Sequence, residues 1–428
     1  MLKLLFVILF LILLLAIKAF HSNQELKFLL LVTCGYWTLN FILRPMITLR
    51  SCSTGVLITS TDFRICANPH LVIDSLLAVV IGCSTFLIAI LVFSKFKYLR
   101  VAQIDARNPD DQVVLLILLA LTGGLALLIE QTSMANIFSK SLMGLTSINF
   151  SVFLWIRKTI KIPPVAEWFL WFVGMTELLI LYSETNYSKG VLLTPLLIFI
   201  YKLEMWNKPG SQFRRVIIVI FLIMLFLIVF NYLQEYKLGK TFDYSATLAA
   251  GHFSVLLLFL LPISQRFDQF PRIVDAQLAS DLNFHGFSNW ISEIGKFLSW
   301  NPSSGRTDST FGQIWNTQIT SQSVPNAELS KVSLAQGFIA DGILWNGYYS
   351  LIIEACGFAL IYLYLAMRLA GNLGKVYFAF CLISNGALFE SGSVAMAALI
   401  SGALKIFLTF KTLEFIISYR RRKINDFH

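Results

Sequence analysis

The sequence predicts an all-α integral membrane protein that crosses the bilayer about 11 times, within a range of about 10 to 12. Hydrophobic residues make up 57% of the 428-residue chain, charged residues only 14%, and the mean hydropathy is +0.71. A soluble domain of this length would leave too much apolar surface facing water. Apolar runs of about 18 or more residues recur between short polar segments, as a hydrocarbon core about 30 Å thick requires. One long polar segment, late in the chain, predicts a single large external loop.

The first apolar run, MLKLLFVILFLILLLAIKAF, has almost no charged region before it and no small-residue cleavage pattern. We therefore expect a retained span and not a removed signal peptide. The predicted spans, in chain order, lie near 2–20, 28–44, 69–93, 112–130, 135–156, 166–182, 190–206, 216–233, 346–367, 375–390 and 393–411.

Lysine and arginine residues cluster in loops that we assign to the cytoplasmic side. The loops 95–107, 157–161 and 202–215 are basic, and so is the tail 412–428. Positive charge near span ends marks the cytoplasmic face, which places the N-terminus outside. This orientation also accounts for the net charge of +10. No basic domain interleaved with aromatic residues is present in the sequence, so we expect no nucleic-acid partner.

The apolar run 245–264 is long enough to span, but the charge pattern argues that it does not cross. Arg215 and Arg368 are both predicted to be cytoplasmic, so an even number of crossings separates them. The runs 216–233 and 346–367 already supply two. We therefore expect 245–264 to lie in the outer interface or to enter the membrane as a re-entrant piece.

The chain then divides into four parts. We predict an N-terminal transmembrane bundle of about eight spans, a large external segment that includes the interfacial or re-entrant run 245–264, three C-terminal spans and a basic cytoplasmic tail. This organisation is typical of a multi-pass protein of the inner (cytoplasmic) membrane, and the external segment is where a site open to water would lie. The four parts comprise residues 1–233, 234–345, 346–411 and 412–428.

Two cysteines differ from the rest of the set. Cys52 and Cys66 share the polar loop between the second and third spans and can pair if that loop faces an oxidising compartment. The spacing leaves the pairing open. The other cysteines lie in apolar runs, where a small buried thiol is expected. No spacing among the cysteines is typical of a metal site. No nucleotide, dinucleotide or metal-hydrolase motif occurs, so we expect no cofactor and no metal.

The polar segment carries the candidate catalytic residues. Arg266 and Arg272, in QRFDQFPR, follow the apolar run at the expected outer membrane surface, where guanidinium groups match phosphate oxygens. Arg306 and Asp308, in SWNPSSGRTDSTFG, can meet a departing phosphate and accept a sugar hydroxyl proton. Lipid headgroup binding and a surface turn with a weak ion pair are the alternatives. His252, inside the apolar run, is a further catalytic candidate or a satisfied buried polar residue.

A second group consists of candidate substrate-binding residues. Tryptophans and amide or hydroxyl side chains suit saccharides, although an interfacial aromatic belt has the same composition. Lys189, in YSETNYSKG, lies at the outer end of a span, where lysine is uncommon. The alternative is that its side chain simply snorkels to the membrane surface. Carboxylates within spans are costly and usually face a cavity; Glu177, Glu354 and Glu390 are of this kind. The substrate-binding candidates are Lys189, Tyr182, Asn186, Trp300, Trp315, Asp341 and Glu390.

In the order of these features the chain resembles the O-antigen and oligosaccharide repeat-unit polymerases (Wzy family). The likeness covers roughly 182–400 and rests on the outer basic residue, the apolar run followed by arginines, and the GRT-acid turn. The stretch 335–365 is similar to that family's return into the membrane, where a short helix ends at a glycine before the next span. The family often has two adjacent arginines before the proline of the apolar run, whereas this chain has FLLP.

The resemblance implies a polymerase/ligase architecture of the GT-C-like type and a metal-independent glycosyl transfer. The substrates would be an undecaprenyl-pyrophosphate-linked glycan donor and acceptor, with lipid pyrophosphate as leaving group and a chain-length regulator protein as partner. The products would be O-antigen or capsular polysaccharide. An O-antigen ligase is one alternative, although ligases carry a histidine where this chain has Ala335 and Gln336. A lipid-linked oligosaccharide flippase or transporter is the other, for which repeated halves are expected.

Overall fold

The structure of the chain is a computed structural model, and every regular element that it describes is helical. The elements are α1 (Leu2–Ala19), a π-helix (Thr38–Leu43), α2 (Arg44–Thr54), α3 (Pro69–Phe93), α4 (Pro164–Glu184), α5 (Gln269–Leu278) and α6 (Gly337–Met367). The described part of the chain contains no strand, in agreement with the predicted all-α class. It comprises residues 2–19, 30, 33–54, 65–67, 69–95, 121, 163–184, 269–278, 337–367, 412, 415–416 and 419.

The apolar runs of the sequence coincide closely with helices. The predicted span 69–93 has the bounds of α3, and the predicted spans 2–20 and 166–182 agree with α1 and α4 to within two residues at each end. Two described helices are long and apolar enough to cross a membrane, namely Pro69–Phe93 with mean hydropathy 2.8 and Gly337–Ile361 with 1.2. These findings support a membrane protein. The apolar run 245–264 and most of the other predicted spans lie outside the described residues.

The second predicted span, 28–44, is followed by further helix. The described helical segment continues past 44 to Thr54. Arg44 is 1% exposed, and its Nη1 donates a hydrogen bond to Thr48 Oγ1 at 3.0 Å. Because a partner one turn along the same helix meets the guanidinium, the arginine does not have to end the span.

The π-helix supplies the backbone reason for this continuation. Pro45 lacks an N–H, and in a regular α-helix its ring would crowd the carbonyl of Phe41. The chain has wider turns at this place, and the N–H of Arg44 bonds to the carbonyl of Leu39. Such short π-helical insertions inside α-helices are frequent at functional sites.

Helix α6 folds back on itself. The part that corresponds to the predicted span 346–367 therefore begins only after the turn. The helix begins at Gly337 and is broken at Asn346 and Gly347, where Gly347 has φ +64° and ψ −143°, a conformation that favours glycine. A Cβ on Gly342 would lie 2.6 Å from Leu351 Cα, so residues 337–345 run back along the helix that follows. The expected short helix that ends at a glycine is therefore present.

After the break, residues 348–367 form the part of α6 that can cross a bilayer, since twenty helical residues extend about 30 Å. We call residues 337–345 the short arm and residues 348–367 the long arm. The hydroxyl of Ser350 donates to the carbonyl of Gly342 and ties the two arms together near the turn. Gly82 of α3 faces Ile339 of the short arm and Leu351 of the long arm, so α3 packs against both.

The core of the described bundle lies where α3, the π-helix region and the short arm meet. Trp37 packs edge to face on Phe86, with ring centroids 5.4 Å apart, and stacks on Phe338 at 6.2 Å. Phe338 in turn contacts Phe358 of the long arm at 5.9 Å. Helix α5 packs against α3, α6, α2 and the π-helix, and α1 packs against α3.

Cys52 and Cys66, whose pairing the sequence left open, form a disulfide, with the two Cα atoms 5.3 Å apart. We expected Cys52 in a loop, and this was wrong, because α2 extends to Thr54 and Cys52 lies near the end of that helix. Residues 65–67, around Cys66, are also helical. The disulfide therefore joins the end of α2 to the chain just before α3. Cys34 and Cys83 are buried free thiols, as expected.

Candidate functional site

The short helix α5 is the centre of the candidate site. Its sequence is QFPRIVDAQL, and residues 269–276 are all buried. Ten helical residues extend about 15 Å, which is half the thickness of a hydrocarbon core. Pro271 lies in the first turn, where the helix leaves backbone amides without an internal partner and a missing N–H costs little. A helix this short and this buried is held by its neighbours and not by its own propensity.

Polar residues recur along α5 at every third position: Gln269, Arg272 and Asp275. Arg272 Nη1 lies 3.5 Å from Asp275 Oδ2, and the exposed fractions of the two side chains are 9% and 0%. A buried charge requires a partner, because water no longer solvates it. The guanidinium of Arg272, which we expected at the outer membrane surface, is buried among the described helices with a carboxylate beside it. The sequence pattern contained Asp275 but did not indicate this pairing.

Hydrogen bonds from other helices hold both ends of α5. The backbone N–H of Gln269 donates to Asn40 Oδ1 at 3.3 Å, and Ser75 Oγ donates to Gln277 Oε1 at 2.9 Å. Asn40 and Ser75 are both completely buried. The sequence reasoning missed these two residues. The signal that was available is a polar side chain inside an apolar run, which is costly in a membrane and therefore informative.

The two arms of α6 carry a pair of buried carboxyl groups. Asp341, a predicted substrate-binding residue, is 3% exposed, and Trp345 Nε1 donates to its Oδ1 at 2.8 Å. Glu354 is 2% exposed, and the carboxyl group of Asp341 is its polar neighbour. No donor from the described residues reaches either oxygen of Glu354. Two carboxyl groups can hydrogen-bond each other only if one of them carries a proton.

Most of the other predicted site residues cannot be placed in this geometry. Tyr182 and Glu177 belong to α4, and their side chains are not described. Among the described residues, no group of three or more His, Cys, Asp or Glu side chains is arranged to hold a metal ion. The predicted site residues outside the described part of the chain are Arg266, Arg306, Asp308, His252, Lys189, Asn186, Trp300, Trp315 and Glu390.

The arrangement therefore combines two chemical groups inside an apolar bundle. One is the guanidinium and carboxylate pair on α5, which suits the oxygens of a phosphate or a sugar. The other is the carboxyl pair on α6, which can hold a proton. Helix α5 packs directly against α6, so both groups belong to one interior. Ionisable side chains inside membrane bundles usually pair with one another and mark a site or a pathway.

Comparison with known proteins supplies no relative from which a function can be transferred. Only the residues of the chain itself therefore carry information about what it does. The chain matches no protein-family model, no curated protein and no solved structure.

Proposed function

We propose that this protein is a membrane-embedded glycosyltransferase that polymerises undecaprenyl-pyrophosphate-linked repeat units into O-antigen or capsular polysaccharide. The reaction would take place at the periplasmic face of the bacterial inner membrane, in a bundle of about eleven spans with a GT-C-like architecture. A chain-length regulator protein is the expected partner. No metal or cofactor takes part in the proposed reaction.

The observation that carries the proposal is the buried pair of Arg272 and Asp275 on α5. A charged pair inside an apolar bundle is expensive, and replacing such a pair by apolar residues often stabilises a protein. Its presence in a helix only ten residues long favours a role in chemistry. A guanidinium has five N–H donors in a planar fork, so it can hold a carboxylate and a phosphate oxygen at the same time.

In the proposed reaction a sugar hydroxyl of the incoming repeat unit attacks the anomeric carbon of the growing glycan. The bond between that carbon and the lipid pyrophosphate breaks, and the pyrophosphate leaves with both electrons of the bond. Asp308 takes the hydroxyl proton, while Arg266, Arg272 and Arg306 stabilise the charge on the leaving group. Lys189 assists at the membrane surface. Trp300 and Trp315 stack on sugar rings.

The test is the extension of synthetic lipid-linked repeat units by purified protein in proteoliposomes. Replacing Arg272 or Arg306 by alanine should lower the rate of glycan formation about 100-fold or more, because the leaving group loses a donor that is aimed at its charge. Arg421→Ala, in the basic tail, is the matched control and should leave the rate unchanged. Full activity in the Arg266, Arg272 and Arg306 variants alike would remove the pyrophosphate site from this segment.

A lipid-linked oligosaccharide flippase is the second candidate, and the shape of α6 favours it. Transporters often use broken helices whose ends face a site inside the membrane. Helix α6 is broken at Asn346 and Gly347, and its arms carry the buried carboxyl groups of Asp341 and Glu354. The same proteoliposomes separate the two candidates. A labelled lipid-linked sugar that changes leaflet without formation of new glycosidic bonds would favour the flippase.

A further inference from the structure

We propose that Asn40 is a positioning residue for Arg272. The carboxamide of Asn40 lies in the π-helix and accepts a hydrogen bond from the first residue of α5, so it fixes the place of the arginine across 229 residues of sequence. The inference rests on the proposed function, in which the Arg272 guanidinium meets the departing pyrophosphate. It adds a residue that no motif in the sequence indicates.

The π-helix gives Asn40 the geometry for this role. Asn40 Nδ2 donates to the carbonyl of Tyr36 at 3.1 Å, which holds the side chain against its own helix. Its Oδ1 faces the opposite way and accepts the N–H of Gln269 at 3.3 Å. A carboxamide has donors and an acceptor on one small group, so a single side chain bridges the two helices. Asn40 is completely buried, and no water competes for these bonds.

The bond reaches a backbone group that helix α5 cannot satisfy by itself. The first amides of a helix have no partner within it, and Gln269 is the first residue of α5. Arg272 follows Gln269 by three residues and therefore lies one helical turn further along α5, on the same side of the helix. At the far end Ser75 holds Gln277, and Asp275 holds the guanidinium. With both ends fixed, the helix can neither slide nor turn, and a displacement of about 1 Å at a reacting group lowers rates about 100-fold.

The first test measures the hydrogen bond without reference to activity. Hydrogen exchange of the backbone amides of 269–278 is followed by mass spectrometry on the purified full-length protein. Asn40→Ala should accelerate exchange at the start of α5 about five- to tenfold, since one buried hydrogen bond is lost. Thr38→Val is the matched control: Thr38 lies in the same π-helix but donates to Cys34 within its own helix. This variant should leave exchange in α5 unchanged.

The partner atom provides a second variant, which keeps the test valid if Asn40→Ala is not recovered in folded form. Gln269→Pro removes the N–H donor at a first helical position, where proline is tolerated. By itself it should accelerate exchange of the remaining amides at the start of α5 as much as Asn40→Ala does, and unchanged exchange there would overturn the proposal. Combining Gln269→Pro with Asn40→Ala should add little to the effect of either change, because both remove the same bond. Additive effects would show that Asn40 acts through something other than this bond and would overturn the proposal.

The kinetic test separates positioning from folding. Asn40→Ala should lower kcat for glycan formation about 10- to 100-fold and leave KM within about twofold, because a displaced Arg272 loses contacts that form only in the transition state. Thr38→Val should match the wild type in both constants.

The outcomes distinguish this inference from the function on which it rests. If Arg272→Ala abolishes synthesis while Asn40→Ala accelerates exchange and leaves kcat unchanged, Asn40 has only a structural role and the positioning inference fails. If exchange is unchanged in Asn40→Ala, the bond itself is refuted. If the wild-type protein forms no glycan, the proposed function fails and the role toward Arg272 fails with it, whereas the exchange result still decides whether Asn40 holds α5.

Discussion

Three buried charged side chains inside the described helices have a partner on the same helix. Arg272 has a carboxylate three residues away, Arg44 has the hydroxyl of Thr48, and Asp341 has the indole N–H of Trp345. Three of these contacts join residues three or four positions apart on one helix, where side chains are neighbours. Local partners of this kind allow a polar residue to enter an apolar bundle before any tertiary contact forms.

Removing one member of the pair on α5 should cost more stability than removing both. Asp275→Leu leaves a buried guanidinium without its carboxylate, and we expect a loss of about 3–5 kcal/mol in the free energy of unfolding. The double variant Arg272→Met and Asp275→Leu should be close to the wild type in stability, yet inactive. Thermal stability of detergent-solubilised protein, followed by size-exclusion chromatography, measures both. A double variant less stable than Asp275→Leu alone would contradict this account.

The buried carboxyl group of Glu354 predicts an asymmetric response to substitution. Glu354→Gln keeps the size of the side chain and places an N–H donor next to the carboxyl group of Asp341, so stability should change by less than about 1 kcal/mol. Glu354→Ala leaves a cavity in the bundle and should cost about 2 kcal/mol or more. Asp74→Asn, at an exposed position of α3, is the control and should be neutral. Equal losses in the two Glu354 variants would show that the acidic group, and not the volume of the side chain, is required.

At the scale of single elements, α6 depends on two glycines for different reasons. Gly347 adopts a positive φ at the turn, although a Cβ there would meet no atom within 4 Å. Gly342 requires room, because the backbone of Leu351 approaches it closely. The turn therefore depends on backbone freedom at one glycine and on the absence of a side chain at the other. Both conditions must hold for the short arm to lie against the long arm.

Three alanine substitutions separate these effects. Gly347→Ala should destabilise the protein by about 1–3 kcal/mol through backbone strain, and Gly342→Ala should do so by forcing the arms apart. Gly35→Ala is the matched control, because Gly35 is helical and a Cβ on it meets no atom within 4 Å. That variant should be neutral or stabilising by up to about 1 kcal/mol. Thermal unfolding in a single detergent compares all three, and a destabilised Gly35→Ala would invalidate the comparison.

The sequence predicted the bounds of uniformly apolar helices better than the bounds of irregular helices. The bounds of α3 followed from hydropathy, since that helix has no internal break. The continuation of the helix beyond the second predicted span was not expected, because Arg44 and Pro45 look like a helix boundary, while a π-helix and the hydroxyl of Thr48 let the helix continue. The sequence indicated that α6 would turn at a glycine, but it did not indicate the residue at which α6 begins.

At the scale of the whole molecule, the disulfide and α3 together predict which end of the bundle faces outward. Disulfides persist in oxidising compartments, so the end of α2 and the start of α3 should face the periplasm. Helix α3 has 25 residues and extends about 37 Å, enough to bring Lys95 to the opposite face. This direction agrees with the charge pattern, which places the basic loop 95–107 in the cytoplasm.

Cysteine accessibility checks this direction. In intact spheroplasts an impermeant maleimide should label His70→Cys, at the exposed start of α3, and should also label Ser280→Cys and Ser323→Cys in the proposed periplasmic segment. Lys95→Cys should react only after permeabilisation. The parent protein without an introduced cysteine gives the background from the buried native thiols. Labelling of Ser280→Cys and Ser323→Cys only after permeabilisation would put the segment in the cytoplasm and end the proposed site.

The candidate site could be predicted only in part, for a reason that concerns the molecule as a whole. Arg272 was singled out because it follows the apolar run 245–264 and carries a guanidinium that suits phosphate oxygens, and Asp341 was among the substrate-binding candidates. Asn40 and Ser75 were not, because their partners on α5 lie 229 and 202 residues away. Periodicity and motifs describe neighbours in sequence, whereas these contacts depend on how distant helices meet. The buried position of α5 follows from the same contacts.

The long-range hydrogen bonds to α5 also set an order of events during synthesis. A ribosome adds about 5–20 residues per second, so about 10–50 s pass between the emergence of Asn40 or Ser75 and that of their partners on α5. During this interval the space later filled by the short helix must be occupied by lipid, water or the insertion machinery. The N-terminal helices are therefore made as an incomplete assembly, whose missing piece follows only after more than half of the chain has been synthesised.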